Sequence, residues 1–307
     1  MSTNPEFTDS ELVSRISELK HKRHAVILAH NYEPAEIQDI ADFCGDSLEL
    51  SIRAAETDAE VIVFCGVRFM AETAKILSPE KTVLLPAPDA DCQMARMIDS
   101  AKLRELKQRH PHAKTVCYVN STAEVKAEVD ICCTSANAAA VAAGIEGEIL
   151  FVPDGNLARN VANALDRSNI LPFRGYCPIH HHFTVEMIER RRREFPGAVV
   201  FVHPECPPEV VAAADAALST GKMLKFVKDS PAKVFIVGTE IGMLHRLEKE
   251  NPDKIFVPLT GQAVCPDMKK CGLWDVFLAL RDMREKIELP PDILRRAKAP
   301  IERMLKA

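Results

Sequence analysis

The 307-residue chain has ten cysteines, yet no two of them stand three apart, so it contains no C-x-x-C pair. Structural zinc favours four closely spaced ligands, often in such pairs, and that class of site is therefore excluded. Positive charge is not in excess either. The net charge is −5 and the pI lies near 6.1, which argues against nucleic acid as a partner, because its binders display a basic footprint. The densest basic run, Arg190 to Arg193, shares a helical pattern with Val185 and Ile188 and reads as a solvated helix face. No apolar run approaches the roughly 20 residues a bilayer demands, and Met1 to Ser10 is polar and unlike an export signal. Membrane partners are not expected. Cysteines without such a signal point to a reducing compartment, where they serve as buried thiols or metal ligands, and cytoplasm is the expected location.

What is present is a soluble globular composition, 47% apolar and 27% charged, long enough for two or three compact units. Its organising stretch is Val26 to Ser47: a short apolar strand, a polar tip at His30 and Tyr32, then a helix with Ile37 and Ile40. Counting from His30, Glu36 lies at +6, Asp42 at +12 and Ser47 at +17. From Tyr118 the same offsets give Glu124, Asp130 and Ser135, and from His203 they give Glu209, Asp215 and Thr220. The +2 residue is always polar: Tyr32, Asn120, Glu205. A further strand, at Val61 to Phe64, Ile149 to Val152 or Val234 to Val237, precedes a late cysteine in each copy. Cys92 lies 62 residues after His30, Cys177 59 after Tyr118, and Cys265 62 after His203. A period of 85 to 88 residues is domain-sized.

The expected fold class is therefore α/β: three repeated small parallel-sheet α/β/α domains around a pseudo-threefold axis, with extra N- and C-terminal helices. The expected division is 1–22 for an N-terminal helix, 23–110, 111–196 and 197–272 for the units, and 273–307 for C-terminal helices. Thr8 to Glu11 reads as a capping box leading an apolar stripe of Leu12, Val13, Ile16 and Leu19. Met94 to Lys107, Leu273 to Ile287 and Ile293 to Leu305 read as helices, and Cys44, Cys132 and Cys133 as sitting in helical or capping surroundings. In parallel sheets ligands bind beyond the carboxyl ends of the strands. His30, Tyr118 and His203 lie at such ends, and like units packed about one axis would bring the three tips and three cysteines together.

Three widely separated thiolates in one place suit zinc poorly and a [4Fe-4S] cluster well, with one iron left open as a Lewis acid. An electron carrier normally closes all four positions, so the open corner favours catalysis. His180, in C-P-I-H after Cys177, is an alternative fourth ligand or a substrate contact. Ser47, Ser135 and Thr220 each open a helical stretch; they are either plain caps or, at matched positions in a converging site, anion holders. The tips supply acid and base candidates: His30, Tyr32, Tyr118, Asn120, His203 and Glu205.

Several long segments resemble the quinolinate synthases across nearly the whole chain: AHNYEPAEIQDIADFCGDSLELS, FCGVRFMAETAKILSPEKTVLLP, YVNSTAEVKAEVDICCTSANA, FVPDGNLARNV, HPEC and VGTEIGML. The resemblance implies one [4Fe-4S] cluster with three cysteine ligands, matched here by Cys92, Cys177 and Cys265, and one open iron. It implies condensation of iminoaspartate with dihydroxyacetone phosphate to quinolinate, with loss of phosphate and water, in NAD biosynthesis. The positions matching substrate contacts are His30, Ser47, Tyr118, Val119, Asn120, Ser135, His180, His203, Pro204, Glu205 and Thr220. Glu205 with His203 would serve as acid and base, and Tyr32 and Tyr118 as gating or relay groups. An aspartate-oxidising enzyme is a candidate source of iminoaspartate. Some relatives carry C-x-x-C-x-x-C around the last ligand; here Gln262 stands three before Cys265, and the next cysteine is Cys271. Leu218 and Asp91 also depart from the family pattern. The alternative reading is an aconitase-like iron-sulfur hydro-lyase using the same open iron.

Overall fold

The computed structural model describes residues 7–307, so the first six residues of the expected 1–22 segment lie outside the described residues. Each of three sheets has four parallel strands. The first contains β1 (Ala25–His30), β2 (Phe43–Gly45), β3 (Val61–Cys65) and β4 (Thr82–Leu84). The second contains β5 (Lys114–Tyr118), β6 (Ile131–Cys133), β7 (Ile149–Val152) and β8 (Ile170–Pro172). The third contains β9 (Val199–Val202), β10 (Ala216–Ala217), β11 (Val234–Gly238) and β12 (Ile255–Pro258). Strand order is the same in all three: second, first, third, fourth. Register matches as well, with Ala29 opposite Cys65, Cys117 opposite Val152 and Val202 opposite Gly238.

Near-continuous apolar strands make such sheets stable only when both faces are covered. Val61 to Cys65 and Ile149 to Val152 are buried throughout. Phe64, Phe151, Phe201 and Phe235 are among the largest fully buried side chains, each contributing about 1.5–3 kcal/mol of transfer free energy. The flanking helices provide the cover, and the tail helix Pro291–Leu305 packs on the second unit, where Asn137 donates to the Met304 carbonyl.

The +12 aspartates have one job in all three copies. Oδ2 of Asp42 accepts the Ile27 N–H, that of Asp130 the Thr115 N–H and that of Asp215 the Val200 N–H, at 2.7–2.8 Å. Each aspartate's own N–H returns to the carbonyl of the same strand residue. The connection into the edge strand is thereby locked to the central strand. The +6 glutamates Glu36, Glu124 and Glu209 are exposed in the first turns of short helices, where a negative charge complements the helix dipole. These echoes belong to folding.

Several local expectations are corrected. Cys44, Cys132 and Cys133 lie on the short edge strands β2 and β6, which are too brief to leave a periodic signal. Met94 to Lys107 is not one helix. Asp99, in extended backbone, caps a helix from Ser100 to Arg109 with its side chain on the Lys102 N–H, and Met94–Arg96 is a separate 3₁₀ turn. The helix from Leu273 stops at Asp282, where Met283 turns left-handed (φ 51°). The following residues pair with β4 instead, through Leu85 N–H to Glu285 and Ile287 N–H to Val83. The capping box at Thr8 and Glu11 is present, but Val13 is exposed, and only Leu12 and Ile16 of the expected stripe are fully buried. Arg191 and Arg192 are paired with Glu194 and Asp215. Among the described residues no helix is long and apolar enough to cross a membrane.

Candidate active site

The carboxyl ends of β1, β5 and β9 face one cavity, with about 840 Å³ of empty space counted together with the open solvent at its mouth. His30, Tyr32, Tyr118, Asn120, His203 and Glu205 line it, as do Ser47, Ser135, Thr220, His180 and the thiols Cys92, Cys177 and Cys265. Val119 and Pro204 do not: Val119 is buried away from the lining, and the Pro204 carbonyl accepts from Asn160. The other seven cysteines stay out of the lining.

Two histidines are set identically. The Tyr32 N–H donates to Nδ1 of His30 at 3.2 Å, and the Glu205 N–H to Nδ1 of His203 at 3.3 Å. An Nδ1 that accepts leaves the hydrogen on Nε2. Burial pushes both imidazoles down to about 3, with Glu205 pulling the other way, so both are neutral donors at ordinary pH. A hydrogen-bonded chain joins Tyr118 to Tyr32. Tyr118 donates its hydroxyl to Glu205 Oε1 at 2.5 Å, Glu205 Oε2 meets His180 Nδ1 at 2.6 Å, and His180 Nε2 meets Thr239 Oγ1 at 2.9 Å. Thr239 Oγ1 lies 2.5 Å from the Tyr32 hydroxyl. Burial works against the Glu205 carboxylate, and the hydrogen bonds it receives from His180 and the Tyr118 hydroxyl favour its charged form. Burial first, and then Glu205, raises both phenols well above their ordinary range.

The hydroxyls at +17 are not caps. Asp46 caps the helix that opens at Ser47, and Ser219 caps the one that opens at Thr220. Ser47 and Thr220 stand one residue further in, with their side chains at the cavity wall. Asn31 donates to Thr220 Oγ1 at 2.8 Å. Ser135 differs, lying in the turn ahead of a six-residue helix, Ala138–Ala143. Asn120 Oδ1 is buried without a hydrogen-bond partner, a ready acceptor for a ligand. Sequence reasoning missed Thr239 and Glu240, which carry no offset signal because the first unit has Gly66 and Val67 in their slots.

The quinolinate synthetase A protein family model matches residues 14–306. A quinolinate synthase of Dehalococcoides mccartyi is 55% identical over 299 residues, covering 97% of this chain and 99% of the relative. One from Methanoregula boonei is 51% identical over 295 residues, 96% of this chain and 97% of the relative. One from Thermodesulfovibrio yellowstonii is 49% identical over 294 residues, 95% and 97% respectively. The chain belongs to the quinolinate synthetase A family.

The donor set can be tested against the cluster that this family resemblance implies. Each of the three thiols is followed by a single helical turn: Met94–Arg96 after Cys92, Pro178–His181 after Cys177, and Asp267–Lys269 after Cys265. Backbone amides of those turns favour the thiolate: Ala95 and Met94 at Cys92, His180 at Cys177, and Met268 and Asp267 at Cys265. Such amides stabilise thiolate ligands. Cys177 feels both other thiols, and Cys92 feels Cys265, so the three share one neighbourhood. Burial pushes the bare Cys92 thiol up to about 12 and raises the other two, so thiolates there call for a cation. These residues fit an iron-sulfur cluster. Cys177, His180 and Glu205 also place ligand atoms within 4.8 Å of one another, enough for a single metal ion. Both His180 nitrogens and both Glu205 oxygens are already engaged in the chain just described.

Proposed function

We propose that this chain condenses iminoaspartate with dihydroxyacetone phosphate into quinolinate, with loss of phosphate and water, using a [4Fe-4S] cluster held by Cys92, Cys177 and Cys265. The observation that carries the reading is one cavity receiving a thiol and a +17 hydroxyl from each third of a chain of this family. When bound, a cluster with one iron free of protein ligands supplies a Lewis acid that polarises a substrate oxygen or nitrogen.

The protein's own residues do the rest. Ser47, Ser135 and Thr220 take carboxylate or phosphate oxygens, aided at Ser47 and Thr220 by the N–H groups of ten-residue helices. His30 and His203 offer Nε2–H to developing negative charge, as neutral donors. The acid–base part is assigned to Glu205 by position, its carboxylate lying in the cavity wall between the Tyr118 hydroxyl and His180. Glu205 removes protons during tautomerisation and dehydration, and Tyr118 hydrogen-bonds the oxygen that holds them. A second outlet runs through His180 and Thr239 to Tyr32. Asn120 Oδ1 accepts a substrate N–H or O–H. Val67, Phe69, Met70 and Met268 keep that part of the cavity apolar. An aspartate-oxidising enzyme would supply the iminoaspartate, and free thiols at all ten cysteines suit a reducing cytoplasm.

The test is turnover after anaerobic reconstitution, following quinolinate and phosphate by chromatography. Quinolinate and phosphate in equal amounts are expected. A fully loaded preparation that makes no quinolinate and instead dehydrates a hydroxy acid would move the reading to an aconitase-like hydro-lyase.

A further inference from the structure

Two of the three cysteine turns are closed by the same three-part clamp. The Cys265 N–H donates to Glu240 Oε1 at 3.1 Å, and Lys269, four residues past Cys265, sits 3.0 Å from the same oxygen. Glu240 Oε2 also accepts the Gly242 N–H at 2.7 Å, and Lys269 donates onward to the Tyr32 carbonyl. The first unit repeats the pattern with different parts. The Cys92 N–H donates to Asp91 Oδ1 at 2.8 Å, and Arg96, four residues past Cys92, pairs with Asp91 Oδ2. In register, Glu240 corresponds to Val67 of the first unit, which has no acceptor to give, so Asp91 serves from within the loop.

The second unit does not repeat the device. Its register counterpart, Asp154, accepts the Leu157 N–H through Oδ1, and the residue four past Cys177 is His181, which meets Asn156 instead. Asp154 Oδ2 is buried without a partner.

A carboxylate that grips both the cysteine amide and the base at the far end of the turn fixes the backbone whose other amides favour the thiolate. We propose that Glu240 with Lys269, and more weakly Asp91 with Arg96, are positioning residues that hold the Cys265 and Cys92 turns in ligand-ready shape and set how firmly a cluster is retained. The inference rests on the cluster reading given above. The two clamps differ in strength because Glu240 is 1% and Lys269 22% exposed, against 29% for Asp91 and 60% for Arg96. Exposed pairs contribute little, whereas breaking a buried one is costly.

The experiment is anaerobic reconstitution of the full chain and of Glu240→Gln, Lys269→Gln and Asp91→Asn. Iron release to a chelator is followed by the cluster absorbance, and the melting temperature of each apoprotein is measured alongside. Glu240→Gln and Lys269→Gln are expected to release iron about 10-fold faster or more, in line with losses of groups that orient metal ligands, a larger change than their fall in apoprotein melting accounts for. Asp91→Asn is expected to change the rate by about 2- to 3-fold. Release at the wild-type rate in both Glu240→Gln and Lys269→Gln overturns the clamp while leaving the cluster assignment standing. A fall in apoprotein melting that accounts for all of the faster release also overturns it. A wild-type chain that takes up no cluster overturns both readings.

Discussion

The first and third units carry a histidine at the tip of their leading strand, and the second carries a tyrosine there, on backbones that otherwise match in strand order and register. In the histidine units the +2 N–H fixes the ring, leaving a neutral donor at the cavity. In the tyrosine unit the hydroxyl reaches across to Glu205 of its neighbour. The +12 aspartate, by contrast, does the same work in every copy. Repetition is therefore strictest where the residue holds the sheet, and it loosens at the tip, where each unit contributes a different reacting group.

The sharpest way to probe that difference is at the +2 slot. Glu205→Gln is expected to lower quinolinate formation by about 10²- to 10⁴-fold with iron content unchanged, whereas Asn120→Ala in the matched slot costs about 10-fold, the worth of a single hydrogen bond to a charged group. Steady-state kinetics on loaded enzyme measures both; full turnover in Glu205→Gln would remove Glu205 from the chemistry.

At the shared slot the expected result is sameness. Asp42→Ala, Asp130→Ala and Asp215→Ala each leave a strand N–H without its acceptor, at about 1–3 kcal/mol, read from urea midpoints. A strong effect in one copy and none in the others would break the equivalence of the units.

The histidine tips also predict a pH dependence. His30 and His203 titrate at about 3 in the fold, below the ordinary 6.5. Between those values the unfolded chain binds more protons than the folded one, so stability rises with pH through this window and falls as pH drops. From pH 7 to pH 5 the loss is about 1–2 kcal/mol for each histidine. His203→Gln should flatten the slope by about half, and Tyr118→Phe should leave it unchanged; an unaltered slope in His203→Gln would contradict the buried neutral state. Smallest of all, Glu36→Ala, Glu124→Ala and Glu209→Ala on the surface should stay within about 0.5 kcal/mol.

Much of this organisation was legible in the chain because a strand tip, a sheet-locking aspartate and a late cysteine recur at fixed offsets. The offsets alone do not separate scaffold from chemistry: +12 and +17 look equally regular, and only the hydrogen bonds show that Asp130 faces a strand while Ser135 faces the cavity. Edge strands of two or three residues, such as β10, are too short for a period to register. Thr239 and Glu240 escaped notice because the first unit holds glycine and valine there, so no threefold echo marks them. His180 was visible in C-P-I-H, but its place between Glu205 and Thr239 depends on contacts between units distant in sequence.

The central claim is that one thiol from each third of the molecule meets the others at a single cluster. Anaerobic iron and sulfide counts on Cys→Ser variants at all ten cysteines test it most directly. The account predicts that only Cys92→Ser, Cys177→Ser and Cys265→Ser lose the cluster; a full cluster in any of those three would contradict it.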